Sequence, residues 1–366
     1  MPKLYLSADA LISNFHLLKA KTGGALIPVL KADAYGHGAS FVLESLLAVG
    51  VELFAVATAF EGLELLKIIE KSKVSFTKPQ IIIMSAVEPE ALFPLLSPSV
   101  ILSVHSPIYA RFLSNAVAHF KEKCLLPAGF RLSVHLKLET GMHRTGIRTE
   151  DGVRFVLSLP HLSVEGAYSH LACPEDSLFT KEQHRRFLAL SSLLPSGSFT
   201  HLSASGGLLK HGDFSLCGVR VGLALYGVAP WESELPLSPV MRFSARVLSV
   251  FRVNAGAHVG YGHVRTKHPR RIAILDAGYA DGIPPTASEG GWVEIKGRKC
   301  PFFGAVCMDK TTVDVENIPL REGEEIPLFG STPGDTAVFA RAAGVSPYVL
   351  LCHRSARTKR IYLKEE

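Results

Sequence analysis

The feature that most constrains the fold is an alternation. Eight short apolar runs rich in β-branched residues, at 26–30, 53–57, 80–84, 100–104, 132–138, 164–169, 199–203 and 219–225, are separated by longer stretches. In 40–49, 59–70, 107–120 and 180–194 the apolar residues recur at i, i+3, i+4 and i+7, as in helices that pack one face on a sheet. Eight strands alternating with helices predict an N-terminal (β/α)8 barrel of the TIM type, because each crossover helix covers the sheet and closure removes its edges. A doubly wound open sheet is the alternative the pattern leaves.

The pattern changes after Tyr226-Gly227-Val228-Ala229-Pro230, where Pro230, Pro236 and Pro239 interrupt helix and strand alike. The expected barrel domain is 1–232. A mostly β C-terminal domain is expected over 233–366, with strands at 241–253, 271–275, 291–295, 300–306, 311–315 and 325–329 and the segment 2–8 as a candidate extra strand. A length of 366 residues suits a barrel of roughly 250 residues or fewer plus a smaller domain.

The balance of 39 Lys+Arg against 33 Asp+Glu gives +6, but apart from 267–271 and the 354–360 tail the basic residues are scattered. They read as loose surface charge or a pocket for a small anion, and nucleic acid is not an expected partner. Cys124, Cys173, Cys217, Cys300, Cys307 and Cys352 form no Cys-x-x-Cys pair, so no metal is expected. The absence of an apolar run near 18 residues, and of a signal-like start, predicts a cytoplasmic protein without a membrane partner.

Lys31, at the end of the first run, is placed where barrel active sites lie, at the C-terminal ends of the strands. Tyr35 four residues on offers a phenol, and Gly36 and Gly38 let the backbone approach a ligand closely. The run Val29-Leu30-Lys31-Ala32-Asp33-Ala34-Tyr35-Gly36-His37-Gly38 resembles the cofactor-lysine motif of alanine racemases, fold-type III pyridoxal phosphate enzymes. Five further runs match in the same order: 135–146 (HLKLETGMHRTG), 219–227 (VRVGLALYG), 259–262 (VGYG), 277–282 (AGYADG) and 307–309 (CMD). Six collinear motifs make the resemblance specific.

That resemblance implies pyridoxal 5′-phosphate carried by Lys31 as a Schiff base, two-base interconversion of L- and D-alanine, and D-alanine supply for peptidoglycan. Lys31 would serve one face of the substrate Cα and Tyr261, from the other subunit of a homodimer, the opposite face. A free phenol titrates near 10, so work near neutrality needs about 4 kcal/mol of phenolate stabilisation, roughly what one cation at 4 Å supplies. Arg220 and His170 are the expected sources of that charge. By the same resemblance Arg220 faces the pyridine nitrogen, and Tyr35, Ser205 and the amides of Gly222 and Leu223 hold the phosphate. Lys137 is often carbamylated in the family and would then hold Arg144, which reaches the cofactor's phenolic oxygen and the substrate carboxylate. The Met308 amide, across the dimer, would bind that carboxylate too, with Asp309 and Tyr279 in the same wall.

Four positions depart from the family pattern. Ala204 replaces a frequent Asn, Ala305 and Pro285 replace arginines of the substrate corridor, and Ala356 replaces a corridor Tyr. A wider, less positive entrance is expected, with weaker exclusion of larger substrates such as serine. A broader-specificity racemase is therefore the alternative function. Two other classes, a fold-related decarboxylase and a non-catalytic cofactor carrier, are disfavoured by Arg220 and by the β domain with Tyr261 and Met308.

Overall fold

The computed structural model describes residues 1–72, 79–214, 216–230, 235–262 and 264–363, so the expected boundary at 232/233 lies outside the described residues. Two compact units emerge: Phe15–Ala34 with Ala39–Leu225, and Met1–Asn14 with Tyr35–Gly38 and Tyr226–Glu366.

The first unit is the barrel. Its strands are β2 (Ala25–Pro28), β3 (Leu53–Val56), β4 (Gln80–Ile83), β5 (Val100–Val104), β6 (Leu132–Lys137), β7 (Leu162–Tyr168), β8 (Phe199–Ala204) and β9 (Gly218–Val221), after β1 (Lys3–Ser7) of the other unit. All are parallel, in the order β2-β9-β8-β7-β6-β5-β4-β3. A parallel bridge from Val29 to Ala55 joins the two ends, so the sheet closes and the open-sheet alternative falls. The strands are buried on both faces, as β-branched and aliphatic runs such as Ile81-Ile82-Ile83 require; all three isoleucines are 0% exposed. Helices between strands start at capping residues that accept from the first turn, Thr58, Ser106, Thr149 and Asp176. The eighth strand is shorter than its apolar run. Gly222 to Leu225 leave the sheet in a turn closed by Leu225 N–H on the Gly222 carbonyl at 2.9 Å.

The second unit is mostly β. Its strands are β1, β10 (Met241–Val253), β11 (Arg270–Leu275), β12 (Trp292–Ile295), β13 (Arg298–Pro301), β14 (Thr311–Asp314), β15 (Glu325–Phe329) and β16 (Lys359–Leu363). A mixed sheet runs β14-β11-β10-β1-β16 with β15 also on β10, and β12 and β13 form a hairpin. The expected strand at 300–306 ends early because Gly304 turns with φ +78, where a Cβ would lie 2.6 Å from the Val259 carbonyl. Phe302 keeps one bridge, to Val313. Two helices absent from the sequence expectation, Asp335–Ala342 and Pro347–Cys352, also belong to this unit.

Candidate active site

Lys31 follows β2, half-buried, at the C-terminal end of the barrel strands. From Ala32 to Tyr35 the backbone is left-handed, with φ 53 at all four residues. None is glycine, so the turn costs about 1–2 kcal/mol per residue. It is fastened within the barrel: Ala32 N–H donates to Glu61 Oε1 at 2.7 Å, and Asp33 Oδ1 accepts from Ala39 N–H at 2.7 Å. Glu61 Oε2 meanwhile accepts from Ala57 and Thr58 N–H at 2.8 and 3.0 Å. One carboxylate thus ties the lysine turn to the loop after β3.

Lys137 ends β6, and its Nζ donates to Thr145 Oγ1 at 2.8 Å. Burial first, then the charges of Arg144 and Arg220, lower its ammonium to about 8. The loop that carries Arg144 is shaped by Glu139, whose carboxylate accepts N–H groups of Gly141, His143 and Arg144 at 2.6, 3.0 and 3.1 Å. Glu139 lies within the 135–146 run, but the motif assigns it no role; its part in holding the loop is visible only in these three bonds.

Arg220, on β9, is 3% exposed. Its N–H groups meet the carbonyls of Ser169, Leu202 and His201 at 2.6, 3.0 and 3.1 Å, Nδ1 of His201 at 2.6 Å and Nδ1 of His170 at 3.4 Å. Its guanidinium also lies 5.0 Å over the Tyr168 ring. The cation expected at His170 is absent. Burial, then Arg220, Arg144, Lys31 and Lys137, hold that imidazole down to about 3, so it is neutral at pH 7. Because an arginine only donates, Nδ1 of His170 is an acceptor and the ring proton sits on Nε2.

Ser205 opens the helix Ser205–His211, and its Oγ accepts from the amides of Gly222 and Ala224, both at 3.2 Å. Leu223 N–H bonds to no described residue. Ala204, at the N-cap, contributes no side-chain bond.

The barrel therefore gathers Lys31, Arg144 and Arg220 within electrostatic reach of Lys137, and all four within reach of His170, with Glu139 as the acid among them. Such a cluster suits a ligand carrying a phosphate and a carboxylate. Among the described residues no group of His, Cys, Asp and Glu could hold a metal ion.

The remaining candidates belong to the second unit. The Tyr35 ring is 5% exposed and lies 5.1 Å from Tyr226 and 6.0 Å from Tyr348; burial pushes its phenol up. Tyr348 was missed in sequence, and it adds a phenol beside Tyr35 in the unit where Ala356 lacks one. Tyr261 and Met308 are 74% and 52% exposed. The Met308 carbonyl accepts from Ala280 N–H at 3.1 Å, while its own N–H engages no described residue. Tyr279 N–H donates to the Cys307 carbonyl at 2.9 Å, which joins the two loops.

The 354–360 tail is not loose surface charge. Arg354 turns inward, 4.7 Å over Phe243 and 5.3 Å over Phe329, and Arg357 Nη1 donates to Asp309 Oδ1 at 2.6 Å.

The family model of the alanine racemase N-terminal domain matches residues 6–230 and that of the C-terminal domain residues 240–362. An alanine racemase of Nostoc sp. is 33% identical over 378 residues, 97% of this chain and 94% of that one. One from Staphylococcus carnosus is 32% identical over 381 residues, 99% and 95% of the two chains. Among solved structures, the biosynthetic alanine racemase of Pseudomonas aeruginosa superposes with TM-score 0.87 at 28% identity, covering 99% of each chain. The alanine racemase of Clostridium difficile 630 gives 0.86 at 28%, covering 99% of this chain and 95% of that one.

Proposed function

The chain belongs to the alanine racemase family, and on that footing we propose that it interconverts L- and D-alanine with pyridoxal 5′-phosphate, in a homodimer whose sites are each shared between subunits. The observation that carries the reading is the cluster of Lys31, Lys137, Arg144 and Arg220, in which Arg220 is buried and faced by neutral acceptors. These residues fit the cofactor: its phosphate is dianionic, Ser205 and the open Leu223 amide offer it hydrogen bonds beside Gly222, and Arg220 cannot give a proton away. Held by Lys31, the cofactor supplies an electron sink that acidifies the substrate Cα–H.

Lys31 Nζ takes or returns the proton on one face of Cα, and the phenol oxygen of the partner subunit's Tyr261 does so on the other. One face loses a proton as the other gains one, so configuration inverts with no change in composition. Arg220 keeps the ring nitrogen unprotonated, which favours return of the proton to Cα over transfer of the amine. His170 acts as a neutral hydrogen-bond donor through Nε2, and the charge that favours the phenolate falls to Arg220. Arg144 and the amide of the partner subunit's Met308 orient the substrate carboxylate.

With its ammonium lowered to about 8, a fraction of Lys137 is the free amine near neutral pH. That fraction can attack CO2 to give a carbamate and release one proton, turning a cation into an anion able to hold Arg144.

Shared sites accord with the exposed apolar residues. Phe60, Ile108 and Leu178 are 76%, 84% and 80% exposed, each at the second position of a helix that follows β3, β5 or β7. Large apolar side chains recurring on the face where barrel sites lie call for a cover. Among the described residues no helix is long and apolar enough to cross a membrane, and the proposed setting is the cytoplasm, supplying D-alanine to peptidoglycan. No observation at the altered entrance favours serine over alanine.

Circular dichroism of L- and of D-alanine with the purified, cofactor-loaded protein tests the proposal. Both signals should decay to zero. A persistent signal, or release of CO2 or a keto acid in its place, would reject the reading.

A further inference from the structure

Among the described residues no carboxylate pairs with Arg220, and the polar atoms it meets are backbone carbonyls and two imidazole nitrogens. A guanidinium has no acceptor, so Nδ1 of His201, 2.6 Å from Nη1, must present a lone pair. A neutral His201 then carries its proton on Nε2. That atom lies 3.0 Å from Nδ1 of His135, which must in turn be bare. The constraint runs outward from Arg220 through two buried rings, 0% and 2% exposed.

We propose that His135 is a positioning residue for Arg220: by accepting from His201 Nε2–H, it locks His201 in the one tautomer that offers Arg220 a lone pair. Without that acceptor the His201 proton can move to Nδ1, where an N–H would oppose the guanidinium N–H and push Arg220 off its place. The inference rests on the reading of Arg220 as the partner of the cofactor's ring nitrogen, and it gives that reading a mechanical support no motif assigns.

Packing reserves the place for these rings. Tyr168 stacks on His201 with centroids 5.0 Å apart at 14°, and Phe199 stacks on His135 at 5.9 Å and 15°. A Cβ at Gly166 would lie 2.7 Å from His135 Nε2, so a side chain there would displace the ring. Burial, then Arg220, keeps both histidines neutral, His135 being lowered to about 4. Neutral acceptors suit the task, because a carboxylate would pair with the charge that Arg220 directs at its ligand.

Neutron crystallography of the full-length, cofactor-loaded protein at pH 7 reads the protons directly. Deuterium is expected on Nε2 of His201 and of His135, with none on either Nδ1. Deuterium on Nδ1 of either ring overturns the proposal and leaves Arg220's own role standing, since that role is tested separately by Arg220→Glu. His135→Leu should lower kcat about tenfold, the loss of one hydrogen bond in a chain to a charged group, with KM for alanine little changed. His135→Asn, which returns an acceptor oxygen, should restore most of it. A His135→Leu enzyme within about twofold of the unsubstituted kcat contradicts the proposal. Should that variant fail to fold, the neutron map of the unsubstituted protein still decides.

Discussion

Arg357 grips Asp281 by two parallel bonds, Nε to Oδ1 at 2.8 Å and Nη2 to Oδ2 at 3.0 Å. The same guanidinium donates to Asp309 and, at 3.3 Å, to the Met308 carbonyl. Asp281 is 1% exposed and also accepts from Gly278 N–H at 2.9 Å. One arginine therefore fixes both loops on which the Met308 amide depends. Arg357→Ala leaves a buried carboxylate without its cation and should destabilise the protein, with KM for alanine raised. Chemical denaturation and steady-state kinetics check both effects; an unchanged midpoint would show that the grip holds nothing.

Arg220→Glu exchanges a group that cannot release a proton for one that can share it with the ring nitrogen. Racemisation should fall by at least about 10²-fold, the order of one misplaced acid–base group, while keto acid appears from alanine. A variant that racemises normally would remove Arg220 from the chemistry.

Lys137 should carry one CO2 in the folded protein. Intact-mass spectrometry under native conditions is expected to show that addition, and CO2-free buffer to remove it with a rise in KM. Lys137→Ala should likewise raise KM, by about tenfold, through the freed Arg144. A protein of unmodified mass that keeps full activity would contradict the carbamate.

His135, His170 and His201 are all neutral in the fold, at about 4, about 3 and well below the usual 6.5. The unfolded chain protonates them near 6.5, so below that pH it binds more protons than the native state. Stability is then full above 6.5 and lost as pH falls toward the folded values, by up to about 1.4 kcal/mol per pH unit for each histidine. Denaturation midpoints measured from pH 7.5 to 5 should drop accordingly. A flat profile would mean that these rings are charged when buried or accessible when folded.

The barrel was legible because its signal is periodic: strands such as Val100–Val104 and helices such as Ala59–Lys71 declare themselves by the spacing of apolar residues. Gly222 and Gly304 ended two runs early, since an apolar run can continue past the point where a turn removes it from the sheet. The site was legible as motifs but not as electrostatics. A place at the end of a barrel strand made His170 a plausible cation, whereas its charge state is decided by burial and by four neighbouring cations that meet only in space. Glu61, His201 and Arg357 escaped for the same reason: each acts on a residue 29, 19 or 76 positions away.

In the proposed mechanism one Lys31 and the partner subunit's Tyr261 serve opposite faces of one substrate. Lys31→Ala and Tyr261→Phe homodimers should each be inactive in L-alanine racemisation, the latter keeping the cofactor's absorbance. Refolded together in equal amounts, they form hybrids in half of all dimers, each with one intact site of two, so about a quarter of the unsubstituted activity should return. Activity no greater than the sum of the separate variants would contradict the account, and so would a Tyr261→Phe homodimer that racemises at the normal rate.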